Sequence, residues 1–252
     1  MDGPVDTSDN RIIPEPSENP LVILLCLGSA AGASQARAPP STPTGSPAAA
    51  PTPSVGVDLQ RFEPLAAYLR ERGAEVEICH DTVTAIRFSW DRRPHAVIVV
   101  DDRLFHSDVR GDPLLQHVVI SLTAFAMNGG YLIFRPSFGN HGALQPMFRQ
   151  RFGLDWQIRG HFCLPVRRGG WLDLVRENLL ERLPDEYTAS GAFIDSATPA
   201  FPMYFSTGIL ADTNSRLAST AAGRLANGLV VYCGDDITQR EADQIISIFC
   251  GV

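Results

Sequence analysis

The chain has 252 residues, of which 44% are hydrophobic, so it is long enough to bury the core of one α/β domain with tails. Its 28 acidic residues outnumber its 21 basic residues, and the net charge of −7 excludes the basic surface of a nucleic-acid-binding protein. All basic residues are arginines, which excludes lysine-dependent chemistry: Walker-type phosphate binding, Schiff-base catalysis and protein-kinase phosphoryl transfer.

The N-terminal region contains a predicted tail and the first predicted strand. Residues 1–19 are polar and interrupted by prolines, which predicts a disordered tail. The continuous apolar run from Pro20 to Gly28 predicts a parallel strand that is buried on both faces. An acidic segment precedes this run, so residues 21–38 do not resemble a secretory signal, and the run is too short to span a bilayer. We therefore expect a cytoplasmic protein with no membrane partner.

Residues 29–57 form a tract rich in Ala, Pro, Ser and Thr directly after the first predicted strand. This composition lacks the large apolar side chains that pack a core, so it predicts a flexible low-complexity insertion. We expect residues 20–252 to fold as a single α/β domain that this insertion interrupts.

Helices and strands alternate regularly after the insertion. Proline at the first helical position and glycine past the end predict a helix between Glu63 and Gly73. Asp112-Pro113 and Asn128-Gly129 bracket the longest predicted helix, whose apolar residues recur at helical spacing. The other predicted elements of this region are a strand over Ala74–Cys79, a short helix over Thr82–Trp90, a strand over Ala96–Val100 and a strand over Tyr131–Phe134.

The pattern is less regular in residues 143–227, which are rich in glycine and proline. A short helix near Leu144–Phe152 and an amphipathic helix over Trp171–Leu183 are predicted there. Gly228–Cys233 then predicts a strand, and Thr238–Glu241 matches a capping box that opens a final amphipathic helix. Alternating strands and helices with right-handed crossovers predict a three-layer α/β/α sandwich with a mostly parallel central sheet, of the flavodoxin-like or amidotransferase-like type.

Ligand sites of parallel α/β sheets lie beyond the carboxyl ends of the strands. The chain places Asp101, Asp102, Asn140 and Asp236 there, and we predict these as candidate ligand-binding residues. The pairs Asp101-Asp102 and Asp235-Asp236 would bind Mg²⁺ if the fold brings them together, because hard cations prefer clustered carboxylates. The alternative is that these aspartates end strands and cap the following turns through their side-chain oxygens.

Ser137 is a candidate nucleophile, with His141 as its base and Asp235 or Asp236 as the group that orients the base. It closely follows an apolar strand, where many α/β enzymes present a nucleophile on a tight turn. Arg135 occupies the position where such a turn needs glycine, and Pro136 removes a backbone donor. A polar loop that simply ends a strand explains the same residues.

The five cysteines are odd in number and include no Cys-x-x-Cys pair. Cys26, Cys79 and Cys233 lie in or at the end of apolar runs, so we expect buried free thiols in a reducing compartment. The histidines are not spaced for a structural zinc site. The glycines at 28 and 32 lack the spacing of a dinucleotide-binding loop, and no cofactor is predicted.

Three segments carry a resemblance to a known superfamily: Leu21–Leu25, Asn128–Phe134 before an elbow-like loop, and the closing segment Gly228–Asp236 with its helix. With these segments the chain resembles the class I glutamine amidotransferase-like superfamily, most of all uncharacterised fungal proteins within it. Glutaminase activity in that superfamily needs a Gly-x-Cys-x-Gly elbow and a later His-x-Glu. The matching elbow, Arg135–Gly139, has Ser137 in place of cysteine, and the chain contains no His-x-Glu. The resemblance therefore implies the fold without glutamine hydrolysis.

The sequence thus predicts a non-catalytic domain that acts in binding, interaction or regulation, with an unidentified small molecule or protein as its partner. Two alternatives stay open. One is a serine hydrolase that uses Ser137 and His141. The other is a small-ligand or Mg²⁺-binding protein that uses the aspartates at the strand ends.

Overall fold

The computed structural model describes residues 19–27, 59–101, 104, 111–136, 144–169, 181–195, 201–207, 217–236 and 238–252. The predicted tail up to residue 18, the predicted insertion at 29–57 and most of the predicted helix at 171–183 lie outside these ranges. No helix within the described ranges is long and apolar enough to cross a membrane.

Nine strands form one sheet in the described part of the chain. In chain order they are β1 (Leu21–Leu25), β2 (Glu75–Cys79), β3 (Ala96–Val99), β4 (Tyr131–Phe134), β5 (Gln157–Arg168), β6 (Glu186–Asp195), β7 (Phe201–Ser206), β8 (Leu217–Leu225) and β9 (Gly228–Cys233). The described helices are α1 (Glu63–Glu71), α2 (Thr82–Asp91), α3 (Pro113–Met127), α4 (Leu144–Met147) and α5 (Arg240–Phe249). A 3₁₀ turn at Leu59–Arg61 precedes α1, and a π-helical turn at Phe148–Phe152 follows α4.

One half of the sheet is parallel, with the strand order β2-β1-β3-β4-β9. β1, β3, β4 and β9 are apolar and almost entirely buried, as expected of parallel strands that are covered on both faces. The strands that the sequence predicted within Pro20–Gly28, Ala96–Val100, Tyr131–Phe134 and Gly228–Cys233 are thereby confirmed. Val99 pairs with Phe134, and Phe134 pairs with Tyr232, so the carboxyl ends of β3, β4 and β9 lie together at one edge of the sheet.

The other half of the sheet is an antiparallel barrel. β8 continues the sheet from β9, β6 pairs with β8, and β5 pairs with β6. β7 pairs with both β5 and β8, which closes a four-stranded ring. Five of the nine strand pairings, including the longest, are antiparallel. The prediction of a three-layer α/β/α sandwich with a mostly parallel sheet, flavodoxin-like or amidotransferase-like, is therefore wrong.

The sequence pattern missed the barrel for a physical reason. Over most of its 12 residues β5 alternates between exposed and half-buried side chains, as a strand with one solvated face does. The strand is consequently polar, and Pro165 within it and Pro202 within β7 weaken the strand signal further. The buried parallel strands carry a continuous apolar signal, and this signal dominates the pattern of the whole chain.

The sheet separates two apolar cores. On one face α1 and α5 pack against the strands, with Leu65 and Ile246 buried between them and the sheet. On the other face α2 and α3 pack against the strands and against each other. Phe88 of α2 and Phe125 of α3 meet edge to face, with 5.6 Å between their ring centroids. The helix pair α2–α3 and the helix α5 therefore lie on opposite sides of the sheet.

The predicted capping box at Thr238–Glu241 is wrong, because α5 begins at Arg240 without a side-chain cap. The residue at the N-cap position is Gln239, and its side chain is bonded to β6 instead. Its Nε2 donates to the carbonyl oxygen of Thr188 at 2.6 Å, and its Oε1 accepts from the backbone nitrogen of Ser190 at 3.1 Å. The start of α5 is thus attached to the barrel.

Two glycines allow the barrel to join the parallel strands. Gly191 of β6 packs against Gly234, which directly follows β9. The backbone nitrogen of Ala192 donates to the carbonyl oxygen of Gly234 at 2.9 Å, and that of Asp236 donates to Ser190 at 2.7 Å. A Cβ atom at Gly191 would collide with the Gly234 carbonyl oxygen, and one at Gly234 would collide with that of Ala192. This close backbone approach requires glycine at both positions.

We predict that Gly191→Ala lowers the free energy of unfolding by about 3 kcal/mol or more, because the new methyl group meets fixed backbone atoms. The matched control is Gly111→Ala, since a Cβ there has no neighbour within 4 Å. The control should change stability by less than about 1 kcal/mol. Urea unfolding followed by circular dichroism measures both variants, and equal stabilities of the two would contradict the assigned junction.

Candidate functional site

The residues that the sequence predicted for a site fall into two groups. Asp101, Asp235 and Asp236 belong to the described part of the chain, at the edge where β3 and β9 end. The remaining candidates lie outside the described residues: Asp102, Ser137, Asn140 and His141.

Asp101 and Asp236 differ in exposure. Asp101 follows β3 and is fully buried. Asp236 is half-buried, and its Oδ1 accepts from the backbone nitrogen of Thr238 at 3.4 Å. Its carbonyl oxygen also accepts from the backbone nitrogen of Gln239 at 3.0 Å. Asp236 thus shapes the turn between β9 and α5, which is the role that the sequence offered as the alternative to ligand binding.

The two aspartate pairs are not adjacent in the sheet. β4 separates β3 from β9, so Asp101 and Asp235 lie on either side of the strand that Arg135 directly follows. The fixed positive charge of Arg135 at this edge disfavours a second cation between the pairs. Among the residues that the structure describes, no three His, Cys, Asp or Glu side chains are grouped closely enough to hold a metal ion.

Arg135 is fully buried at the carboxyl end of β4. Its guanidinium group forms an ion pair with the carboxylate of Asp243, which lies on the inward side of α5. A second guanidinium nitrogen donates to the carbonyl oxygen of Asp236 at 3.4 Å. A buried charge is tolerated only when such partners compensate for lost hydration. Arg135 therefore fixes α5 and the turn after β9 relative to β4.

Asp235 is the second buried charge at this edge, with 1% of its surface exposed. Tyr187 of β6 donates its hydroxyl to Oδ2 of Asp235 at 2.5 Å. The Tyr187 hydroxyl also lies 3.3 Å from the hydroxyl of Ser219 on β8. The other carboxylate oxygen, Oδ1, is buried without a hydrogen-bond partner among the described residues. Asp235 thus connects the end of β9 to two strands of the barrel.

The environment of Asp235 shifts its protonation. Burial raises the pKa of Asp235 from its ordinary value of 3.8 to about 6, although the Tyr187 hydrogen bond and the charge of Arg135 both lower it. Burial and the nearby carboxylate raise the pKa of Tyr187 well above its ordinary value. At neutral pH the pair therefore consists of a carboxylate and a neutral hydroxyl donor.

Cys233 ends β9 next to these groups, and its thiol is fully buried. Burial, and then the negative charge of Asp235, raise the pKa of Cys233 to about 12. A cysteine nucleophile reacts as the thiolate, which this environment suppresses. Cys26, Cys79 and Cys233 are all buried free thiols, as the sequence predicted.

We name five of these side chains the polar seam: Arg135, Tyr187, Ser219, Asp235 and Asp243. A carboxyl group whose pKa lies near 6 is within the range used for proton transfer in active sites. A general base must also reach the proton of a substrate, and Asp235 is almost completely enclosed. Internal ion-pair and hydrogen-bond networks shift pKa values in the same way. The geometry of the polar seam thus favours a structural joint.

The sequence pattern does not predict three members of the polar seam, Tyr187, Ser219 and Asp243. A signal was present for Asp243, which precedes Ile246 by three residues and therefore shares the buried stripe of the final helix. Tyr187 and Ser219 belong to barrel strands that the pattern did not resolve. The sequence shows that Arg135 does not fit the glycine position of a nucleophile turn, but it does not predict that Arg135 is buried.

Comparisons with known proteins find similar folds but give no function. No protein-family model matches the sequence, and no curated protein sequence matches it. Two solved structures resemble it over nearly their whole length. Cytoplasmic Protein STM1381 from Salmonella typhimurium LT2 matches with a TM-score of 0.54 and 8% identity, covering 91% of this chain and 98% of its own. Cytoplasmic Protein STM3548 from Salmonella typhimurium matches with a TM-score of 0.51 and 9% identity, covering 91% and 97%.

These findings correct the resemblance drawn from the sequence. The two matched structures are bacterial proteins whose names give no amidotransferase activity. Five of the nine strand pairings are antiparallel, and four of these five form a ring that the expected sandwich lacks. The assignment to the class I glutamine amidotransferase-like superfamily, with its fungal members, is therefore wrong. At 8% and 9% identity the new likeness concerns the fold alone.

We predict that Asp235→Asn stabilises the protein at neutral pH. The pKa of Asp235 is about 6 when folded and close to 3.8 when unfolded, so the folded state holds this proton more tightly. The ionisation of Asp235 therefore costs stability as the pH rises from about 4 to about 6, by about 3 kcal/mol in total. The stability difference between Asp235→Asn and the wild type should grow by that amount over this window.

Urea unfolding at a series of pH values measures this difference. The matched control is Asp236→Asn, since the neighbouring residue is half-buried and its Oδ1 contact survives the substitution. The control should change stability by less than about 0.5 kcal/mol. If the free energies of unfolding of the wild type and of Asp235→Asn differ by a constant amount from pH 4 to pH 7, Asp235 is not a buried titrating carboxyl group.

Proposed function

We propose that this chain is a non-catalytic domain that acts in binding, interaction or regulation. The observation that carries the proposal is the burial of the charged groups at the end of β4 and β9. Arg135 is fully buried, and Asp235 is 1% exposed. In an α/β enzyme this edge presents reactive groups to a substrate, whereas here its charges are directed into the protein.

The charged side chains of the polar seam are engaged in packing. The Arg135 guanidinium holds Asp243, and the Asp235 carboxylate holds Tyr187. The thiol of Cys233 is enclosed, and its pKa of about 12 keeps it protonated at neutral pH. None of these groups is arranged to meet a substrate from solution, which supports a role that depends on recognition by other surfaces.

A serine hydrolase is the second candidate, because Ser137 lies only two residues beyond the buried Arg135 at the carboxyl edge. In this candidate His141 is the base. Asp235 would have to orient His141 while its Oδ2 holds Tyr187. Its Oδ1, which has no partner among the residues that the structure describes, is the atom that would accept from the imidazole. The hydrolase candidate can therefore be tested by substituting Asp235.

We also propose a cytoplasmic location. Four of the five cysteines are buried and all five are free, which suits a reducing compartment. The two matched structures are both named as cytoplasmic proteins. A fluorescent fusion with the full chain tests the location directly.

Activity-based labelling tests the non-catalytic proposal. A fluorophosphonate probe reacts with the activated serine of a hydrolase, and we expect it not to label the folded protein. An iodoacetamide probe at pH 7 should label Cys163, the exposed cysteine, and leave Cys233 unmodified because its thiol is buried and protonated. Mass spectrometry of the labelled peptides reads both results.

The controls separate a true active site from surface reactivity. Ser137→Ala tests the serine, and Asp235→Asn tests the residue that would orient its base. Fluorophosphonate labelling that disappears in Ser137→Ala and weakens in Asp235→Asn would establish the hydrolase and end the non-catalytic proposal. Labelling of Cys233 at a rate similar to that of Cys163 would indicate a reactive thiol at this edge, and it would also end the non-catalytic proposal.

A further inference from the structure

Two arginines from separate parts of the chain lie close together beside a tyrosine. Arg182, in the turn that leads into β6, is half-buried and interacts electrostatically with Arg72 and Tyr68 of the α1 region. Burial, and then the positive charge of Arg72, lower the pKa of Arg182 below its ordinary value. We name Arg72 and Arg182 the arginine pair. Its two guanidinium groups repel each other.

α1 fixes one member of the arginine pair. Leu65 and Leu69 are buried on the inner side of α1 and hold the helix on the sheet. Tyr68 and Arg72 are four residues apart, so they are neighbours on the surface of the helix. The Arg72 guanidinium lies 5.0 Å from the centroid of the Tyr68 ring, which is a cation–π contact. The ring therefore holds this charge in place.

The turn before β6 fixes the other member. Leu183 is 5% exposed and belongs to the same apolar core as the inner side of α1. The hydroxyl of Tyr204 donates to the carbonyl oxygen of Pro184 at 2.7 Å. These two contacts directly follow Arg182 in the chain, so its backbone is anchored on the protein. The arginine pair is thus assembled by two elements that the core and a hydrogen bond hold.

Other arginines close to the pair in sequence are neutralised. Arg70 of α1 forms an ion pair with Glu63 at 3.1 Å, and Arg168 forms one with Asp185 at 2.7 Å. Neither member of the arginine pair forms an ion pair with any residue that the structure describes. Two positive charges are therefore held together without a negative charge between them.

Helix capping explains only one of the two arginines. Arg72 is the C-cap residue of α1, where a positive charge offsets the helix dipole. Arg182 has no such role, and the charge of Arg72 acts against it. Glu71 and Glu181 directly precede the two arginines, yet neither forms an ion pair with them in the structure. The negative charge that would balance the pair is thus not supplied by its neighbours in sequence.

We propose that the arginine pair is a binding site for a phosphate-type dianion, either free phosphate or the phosphate group of a small molecule. Each guanidinium presents a planar fork of N–H donors that matches phosphate oxygens. The two positive charges match the charge of the dianion, and its binding replaces their repulsion with attraction. The hydroxyl of Tyr68 supplies a neutral donor next to the pair.

The arginine pair shares no residue with the polar seam. The phosphate site therefore does not depend on whether the polar seam is catalytic, and it goes beyond the proposed non-catalytic role. Failure of phosphate binding would leave the labelling results expected for Ser137 and Cys233 unchanged, so the two proposals can be overturned separately.

A phosphate titration of the full chain, followed by the NMR signals of the arginine Nε–H groups, tests the site. At low ionic strength, where exposed charges are least screened, inorganic phosphate between about 0.1 and about 30 mM should shift the signals of Arg72 and Arg182 along one saturation curve. Arg72→Gln and Arg182→Gln should each weaken binding at least about 10-fold. Arg87→Gln is the matched control, because it removes one exposed positive charge from α2 on the opposite side of the sheet. It should leave the affinity unchanged.

Thermal unfolding separates a ligand site from a structural contact. Arg182→Gln removes the repulsion by Arg72, so without phosphate its Tm should be equal to or higher than that of the wild type. Phosphate should raise the Tm of the wild type and should not raise that of Arg182→Gln, because ligand stabilises only a protein that binds it. A structural role for Arg182 predicts a lower Tm of the variant without phosphate.

Phenyl phosphate as a second titrant identifies the source of the dianion. Shifts of the same two signals would show that the site takes the phosphate group of a larger molecule, whereas binding of inorganic phosphate alone would restrict it to the free ion. The absence of a saturable shift up to about 30 mM of either compound would overturn the proposal. So would equal weakening by Arg87→Gln and Arg182→Gln, or a lower Tm of Arg182→Gln without phosphate.

Discussion

The buried ion pair between Arg135 and Asp243 is the constraint on which the arrangement of this protein depends. Arg135 ends the strand next to β9, and its charge is removed completely from water. Such a charge is stable only if a partner of opposite sign lies within bonding distance. The position of Asp243 on α5 therefore fixes where α5 lies on the sheet.

The position of α5 determines how the two halves of the sheet meet. The turn that leads into α5 contains Asp235, whose carboxylate is held by Tyr187 from the barrel. Gln239 at the start of α5 bonds to the same barrel strand. The contact of Gly191 with Gly234 allows these bonds to form, because larger side chains would separate the backbones. The polar seam and the glycine contact together hold the antiparallel barrel against the parallel strands.

The parallel half could be predicted from the sequence and the barrel could not. β1, β3, β4 and β9 are buried on both faces, so their residues form continuous apolar runs with a strong signal. β5 has one solvated face and contains Pro165, so its residues resemble those of a loop. The wrong fold class followed from applying the strong pattern to the whole chain.

The sequence predicted which strand ends carry the candidate aspartates, but it did not predict whether these side chains are buried. Asp101, Asp235 and Asp236 do lie beyond the ends of β3 and β9. Whether such an aspartate faces solvent or the interior depends on its neighbours, and the neighbour of Asp235 is Tyr187 from the unpredicted barrel. The polar seam therefore became visible only with the tertiary structure.

A double-mutant cycle between Tyr187 and Asp235 tests most directly whether the polar seam joins the two halves. Tyr187→Phe, Asp235→Ala and the double variant, each of which removes the hydrogen bond, are compared with the wild type by urea unfolding at pH 7. The hydrogen bond between the two side chains predicts a coupling energy of about 1 kcal/mol or more. Effects that add within about 0.5 kcal/mol would show that the two residues are independent and would contradict the account.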